Sequence, residues 1–252
     1  MMKSVPVIAL IGLISTPATA ETVPSYVTAA LADPARPADQ AARDALRKPG
    51  DVIAFAGLHP GDAVADFMPG SGYFTRIFSR VVGAKGHVYA FTPVDELRNC
   101  SAQETAGSRI LAGDPRYANV TLESGPAEAF STPVALDFVW TAENYHDLYD
   151  KFMGPTNVEV FDQQVFNALK PGGVFIVIDH VAQNGSSTRD TETLHRIDPD
   201  RIKRDLVAVG FVYEGESNAL RNPADDHGRP VFDPAIRGRT DKVILKFRKP
   251  SG

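Results

Sequence analysis

Cysteine is almost missing from this chain. Cys100 is the only one in 252 residues, so no intramolecular disulfide can brace the fold. Tryptophan is as scarce: Trp140 stands alone and reads as core at a strand end, with the rim of a pocket as the other reading. A basic excess is absent too. The formal net charge is −5 and the pI near 5.7, which argues against a nucleic-acid footprint. The apolar stretch Val5 to Ile14 is too short for a membrane-spanning helix. Neither an internal repeat nor a low-complexity segment interrupts the text.

What the N-terminus does contain is a secretory pattern. Lys3 supplies the positive start, Val5 to Ile14 the apolar core, and Ala18-Thr19-Ala20 the small-residue cleavage site. A buried core helix is the competing reading, but Pro6, Gly12 and Pro17 make a poor helix. No cysteine follows Ala20, so a lipoprotein pattern is not evident. Residues 1–20 are therefore expected to be a signal peptide. The remainder is expected to be exported, periplasmic or secreted, with no stable membrane insertion once the signal is removed. Residues 21–36 are polar, carry Pro24 and Pro34, and are expected to wrap the surface or stay mobile. Residues 37–252 suit one α/β domain.

The most informative stretch runs from Val64 to Arg76. An apolar strand ends in Asp66, breaks at Pro69-Gly70-Ser71-Gly72, and passes into a helix with Phe74, Ile77, Phe78 and Val81 on one face. A glycine turn lets backbone approach a ligand closely, and the helix start offers unpaired N–H groups. Before it, Arg43, Asp44, Arg47 and Lys48 share one helical segment, and Pro49 opens another around Val52, Ile53, Phe55 and Ala56.

Beyond it, strands are expected at His87 to Phe91, Asn119 to Glu123, Leu136 to Trp140 and Val174 to Ile178, with a helical stretch from Val94 to about Leu111. The helix carrying Val158, Phe161, Val165 and Leu169 should stop at Lys170-Pro171-Gly172-Gly173. Asp198 caps a further helix with Pro199 at its first position. Phe211 to Glu214 and Lys242 to Phe247 are the last strands, the second alternating as an edge strand would. Asn222 to Arg239 reads as a long loop or lid. Alternating strands and helices imply a parallel sheet covered on both faces.

In element order the chain resembles the class I S-adenosylmethionine-dependent methyltransferases. It also resembles a narrower group of exported bacterial proteins described as predicted methyltransferases. That narrower likeness rests on Arg47-Lys48-Pro49, Pro69-Gly70-Ser71-Gly72-Tyr73, Asn144-Tyr145-His146-Asp147, His195-Arg196-Ile197-Asp198-Pro199 and Val231-Phe232-Asp233-Pro234. The resemblance implies a Rossmann-like fold with a seven-stranded, mostly parallel sheet, helices on both faces and an antiparallel last strand. It implies S-adenosylmethionine as cofactor, held by Asp66, Pro69, Gly70, Ser71, Gly72 and Tyr73. Three positions depart from the family pattern. Met68 replaces the first glycine, Phe91-Thr92 ends the second strand without an acid, and Gly125-Pro126 replaces Gly-Asp after the third. Asp95 and Glu96 lie a few residues beyond Thr92.

Methyl transfer needs orientation and a group to take the acceptor's proton. His146 and His180, after the fourth and fifth strands, are the expected bases, and Tyr145 is expected to orient a small-molecule acceptor. His195 and Arg196 are expected substrate contacts. Arg43, Asp44 and Arg47 are expected on a solvated helix face, with a role over the cofactor carboxylate as the alternative. No metal centre is expected, because His146, Asp179, His180, His195 and His227 lack a tight ligand spacing, although they could converge on one rim. The rival functional reading is an exported, non-catalytic module that binds some other small ligand on the same fold.

Overall fold

Apolar residues at every second position build β1 (Ala63–Phe67), which presents Val64 and Asp66 to one side and Ala65 and Phe67 to the other. The computed structural model describes residues 22–101, 111, 113–154 and 156–252. The expected signal peptide lies outside them, as does most of the expected helix after Asn99, whose visible part is Val94–Asn99. The other strands are β2 (His87–Pro93), β3 (Val120–Gly125), β4 (Leu136–Ala142), β5 (Leu169–His180), β6 (Val212–Ser217) and β7 (Lys242–Arg248).

They form one seven-stranded sheet in the order β3-β2-β1-β4-β5-β7-β6. The first five are parallel, and β7 runs antiparallel to both β5 and β6. This is the Rossmann-like methyltransferase topology. Among the described residues no helix is long and apolar enough to cross a membrane.

The expectation that β7 forms the sheet edge is corrected. Val243, Ile244, Leu245 and Phe247 are buried between β5 and β6, while β6 is the edge and alternates in exposure. Alternation of Val243, Leu245 and Phe247 described one face of β7; Ile244, between them, fills the other. Lys246 places Nζ 5.6 Å from the Phe55 ring centre and donates it to the Phe55 carbonyl at 3.1 Å.

Two cores flank the sheet. One side packs Phe67, Phe175 and Val177 against the Val158–Ala168 and Pro199–Ala208 helices, through Phe161, Val165, Ile202 and Leu206. Phe67 and Phe161 meet at a ring separation of 4.5 Å. Burying each such side chain stabilises the fold by about 1.5–3 kcal/mol. The other side packs Val64, Ile176 and Ile178 against the Pro49–Ala56 and Tyr73–Val82 helices. Trp140 belongs to this second core, against Phe74 at 5.1 Å and Phe78 at 4.9 Å, and lines neither of the two cavities described below.

The N-terminal segment is not a loose wrap. Ser25–Leu31 is a helix whose Val27 and Ala30 are buried in the second core, and Tyr26 donates its hydroxyl to the Leu58 carbonyl at 3.1 Å. That helix thus packs on the second core, because two apolar residues one helical turn apart give it a buried face. The segment after Pro37 forms two single turns, Ala38–Ala41 and Asp44–Arg47, rather than one helix.

Candidate functional site

At the carboxyl end of β1 the chain reverses through three left-handed residues: Met68 at φ 56°, Gly70 at φ 52° and Gly72 at φ 74°. Met68 thus takes the backbone shape of a glycine at the position where the family has one. A side chain in that region costs about 1–2 kcal/mol, offset here because Met68 is buried in the first core. The turn is clamped from behind. Arg76 donates to the Ser71 and Gly72 carbonyls at 2.7 and 3.0 Å, and Gln40 donates to the Ser71 carbonyl at 3.0 Å. Gly72 provides no side-chain cap for the Tyr73–Val82 helix, and of its first N–H groups that of Thr75 turns to Asp66.

A cavity of about 320 Å³ opens over this turn, lined by Asp66, Met68, Pro69, Gly70, Ser71 and Tyr73 together with Arg43, Arg47, Glu143 and Asn144. Gly72 lies just behind it as the helix cap. Asp66 is buried and accepts the Thr75 hydroxyl at 2.6 Å. Burial pushes its carboxyl up to about 7, against the pull of Thr75 and Arg47. Tyr73 both lines the cavity and packs: its hydroxyl donates to Asp44 at 2.6 Å, and the guanidiniums of Arg43 and Arg47 lie 5.4 and 4.8 Å from its ring centre.

Arg43 and Arg47 are therefore not on a solvated face, which corrects the expectation. They lie one turn apart and reach over the cradle because the chain breaks at Lys48 (φ 42°) and turns that face inward. Arg47 pairs with Glu143 at 2.9 Å, whereas Arg43 pairs with no carboxylate among the described residues. Asp44 serves the frame instead, held by Arg36 at 2.6 and 2.8 Å. At the family's other cofactor positions, Thr92 is buried in the sheet opposite Ser124 and Pro126 leads into the Ala127–Ala129 turn.

A second cavity, of about 400 Å³, shares Arg43, Arg47 and Glu143 with the first and adds His180, Val231, Phe232, Arg237 and Lys242. Glu143 sits at the junction in a left-handed conformation (φ 67°), between Arg47 and Lys242, which is 3.1 Å away. Burial alone would raise its carboxyl, but Arg47, Lys242 and His180 overcome this and hold it well below the usual carboxylate range. Burial pushes His180 down to about 4 despite Glu143 and Asp179, so its imidazole is neutral near pH 7. Its Nδ1 lies 2.8 Å from the Thr240 hydroxyl.

The two histidines expected as bases are shifted in opposite directions. His146 is buried, with Nδ1 2.7 Å from Asp179 Oδ1 and Nε2 3.1 Å from Asp147 Oδ1. Burial disfavours its charge, but Asp179 and Asp147 outweigh that and raise it well above the ordinary histidine value. His146 lines neither cavity, so the cavity geometry lends no support to its expected role as a base. Tyr145 is fully buried, donates to Asp162 at 2.8 Å within the first core and lines neither cavity.

His195 lies at the edge of the second cavity, its ring 4.9 Å from Phe232. Arg196 does not reach the cavity. It is fully buried, paired with Asp225 at 2.9 and 3.0 Å, and donates to the Val181 and Arg229 carbonyls, each at 2.9 Å. His227 turns instead to Asp241 at 3.0 Å, so the five-residue metal set does not assemble as written. The 222–239 loop is stapled by Arg196–Asp225 and Val231 N–H to the Leu194 carbonyl at 3.1 Å, and so forms a wall rather than a lid.

No protein-family model matches the chain. It is similar to a ubiquinone/menaquinone biosynthesis C-methyltransferase, UbiE, of Marinomonas sp., with 24% identity across 76% of this chain and 69% of that protein. It spans about half the length of several other curated methyltransferases that it matches. Among solved structures, a SAM-dependent methyltransferase from Aquifex aeolicus superposes with a TM-score of 0.54 at 16% identity, covering 82% of this chain and 97% of that one. The [4+2]-cyclase SpnF superposes with a TM-score of 0.58 at 18% identity, covering 84% and 83%. The strand order β3-β2-β1-β4-β5-β7-β6 and the left-handed glycine turn after β1 give the chain the fold of these class I S-adenosylmethionine-dependent methyltransferases, to which it is similar.

Proposed function

We propose that the protein transfers a methyl group from S-adenosylmethionine to a small anionic acceptor. The observation that carries this reading is the pair of cavities that meet at Arg43, Arg47 and Glu143 over the carboxyl ends of the strands. The first cavity fits the amino-acid end of the cofactor. Its floor carries no Cβ at Gly70, its helix start is uncapped, and Arg43 has no described carboxylate partner. When bound, the cofactor supplies an electrophilic methyl group on a sulfonium.

The chain's own residues do the rest. Asp66 and Glu143 offer negative charge to the cofactor's cationic groups, and Arg43 offers a charge-assisted bond to its carboxylate. In the second cavity Arg237 and Lys242 attract an anion and favour ionisation of the acceptor nucleophile. His180, neutral, accepts a hydrogen bond from the acceptor and helps hold it in line.

Calorimetric titration with S-adenosylmethionine and its demethylated product tests the reading. Micromolar binding is expected, and Arg43→Ala should weaken it about tenfold, or about 1.4 kcal/mol. A folded protein that binds neither compound would instead support the non-catalytic ligand module, for which the altered positions Met68, Thr92 and Pro126 speak.

The affinity should also depend on pH. Asp66 is protonated and neutral below about 7 and an attracting carboxylate above it, so binding should tighten as pH rises through that value. Above about pH 8 the gain should reverse as the cofactor's α-amino group loses its charge. Asp66→Asn should flatten the rising limb; an unchanged profile would remove Asp66 from the cofactor site. We also propose export to the periplasm or medium, supported by the pattern of residues 1–20, and N-terminal sequencing of the mature protein would show cleavage after Ala20 or its absence.

A further inference from the structure

We propose that His146, Asp147, Asp150 and His195 form a binding site for one divalent transition-metal ion of the zinc class, beside the second cavity. One ligand atom from each lies within 4.8 Å of all the others. His146 Nε2 is 3.1 Å from Asp147 Oδ1, and His195 Nδ1 is 3.9 Å from both Asp147 Oδ1 and Asp150 Oδ2. Four bonds of about 2.0–2.2 Å in a tetrahedron place ligand atoms roughly 3.4 Å apart. Small side-chain rotations therefore suffice to close the site.

Three independent features point to a cation. Asp150 is 2% exposed, yet neither of its carboxylate oxygens makes a well-formed hydrogen bond; the Thr191 hydroxyl lies close enough to act on it but donates to the Thr188 carbonyl at 3.2 Å. A buried carboxylate without donors is costly unless something positive meets it. Asp179, fully buried, holds His146 Nδ1 at 2.7 Å and also accepts the His146 backbone N–H at 2.8 Å. That carboxylate–histidine contact fixes the ring and aims Nε2 into the cluster, as outer carboxylates do for metal-bound histidines. Asp147, Asp150 and Asp179 crowd the cluster, and the side chains that meet them are the His146 and His195 imidazoles, with no lysine or arginine among the described residues paired to any of them.

Two imidazoles and two carboxylates suit zinc, cobalt or manganese better than calcium or magnesium, which prefer oxygen alone. The site joins the loop after β4 to the Thr191–Leu194 turn, whose cap is His195. His195 in turn touches Phe232 on the cavity wall. A bound ion would therefore fasten the rim of the acceptor chamber.

The test is titration of the metal-stripped full chain with zinc and cobalt ions alone. One equivalent should bind at micromolar affinity or tighter, raise the melting temperature, and give bound cobalt the visible absorption of a low-coordinate site. Asp150→Asn and His195→Gln should each weaken binding at least tenfold, while His227→Gln leaves it unchanged. His195 is partly exposed, so His195→Gln decides the matter if Asp150→Asn does not fold. Absence of one-equivalent binding, or binding that both variants retain, would overturn the site, as would loss in His227→Gln alone. Cofactor titration is a separate readout, so failure of the metal site leaves the methyltransferase reading standing, and the reverse.

Discussion

Arg196→Met is expected to cost about 3–5 kcal/mol of folding stability, because it strands a buried carboxylate. Arg196 and Asp225 are 0% and 1% exposed at their side chains and face each other through two bonds of 2.9 and 3.0 Å. Once the guanidinium is gone, Asp225 keeps only the backbone N–H groups of Asp241 and His227, at 2.7 and 3.1 Å. The Val181 and Arg229 carbonyls lose their donor as well. At about 2–4 °C per kcal/mol for a chain of this size, the melting temperature should fall by roughly 6–20 °C.

A double replacement, Arg196→Met with Asp225→Leu, should recover most of the loss, since removing both charges leaves nothing unpaired. Thermal unfolding of the two variants and the parent checks both statements, and an unchanged midpoint in Arg196→Met would refute the account. The pH dependence has a definite sign. Burial raises the Asp225 carboxyl, but the two N–H bonds and Arg196 prevail and hold it below its ordinary value. Its contribution is therefore complete above the unfolded carboxylate pKa of about 4 and is lost as pH falls through the lower folded value.

Gly70→Val should remove cofactor binding while leaving a folded protein. At φ 52° a β-branched residue is strained by about 1–2 kcal/mol, which a modest drop in melting temperature should report. The larger effect is steric: the side chain enters the cavity over the turn, where the ligand must approach the backbone. A loss of at least a hundredfold in S-adenosylmethionine affinity, about 2.7 kcal/mol, is expected. Gly70→Asn separates the two causes. Asparagine tolerates the left-handed region, so stability should return while affinity stays low. Met68→Gly makes the opposite case: it keeps the backbone shape that Met68 already adopts, so binding should persist. Full affinity in Gly70→Val would remove the turn from the cofactor site.

Much of the frame was legible because it depends on local rules. Residues Phe74, Ile77, Phe78 and Val81 announced a buried helical face, and that helix is Tyr73–Val82. Asp198-Pro199 announced a helix start, and Asp198 accepts the Asp200 N–H at 3.0 Å. The unbroken run Val174 to Ile178 announced a strand covered on both sides, which β5 is. Where the text misled, burial was inferred from one face alone. The alternation in β7 describes one face while Ile244 packs the other, and the charged Arg43–Arg47 turn folds over the glycine turn rather than into solvent.

The amino-acid sequence by itself determined the element order, the glycine turn with its left-handed demand, and the two-sided burial that makes a parallel sheet. Those follow from periodicity and backbone sterics, which act between near neighbours in the chain. Only the tertiary structure decided which polar groups meet. Arg47 finds Glu143 across 96 positions, His146 finds Asp179 across 33, and Arg196 finds Asp225 across 29. These partners decide that His146 is held by a buried aspartate, that Arg196 is locked in the interior and that Arg47 faces the cavity over the glycine turn. No local pattern encodes them, because charge pairing and desolvation depend on distance in space, and the fold alone sets that distance.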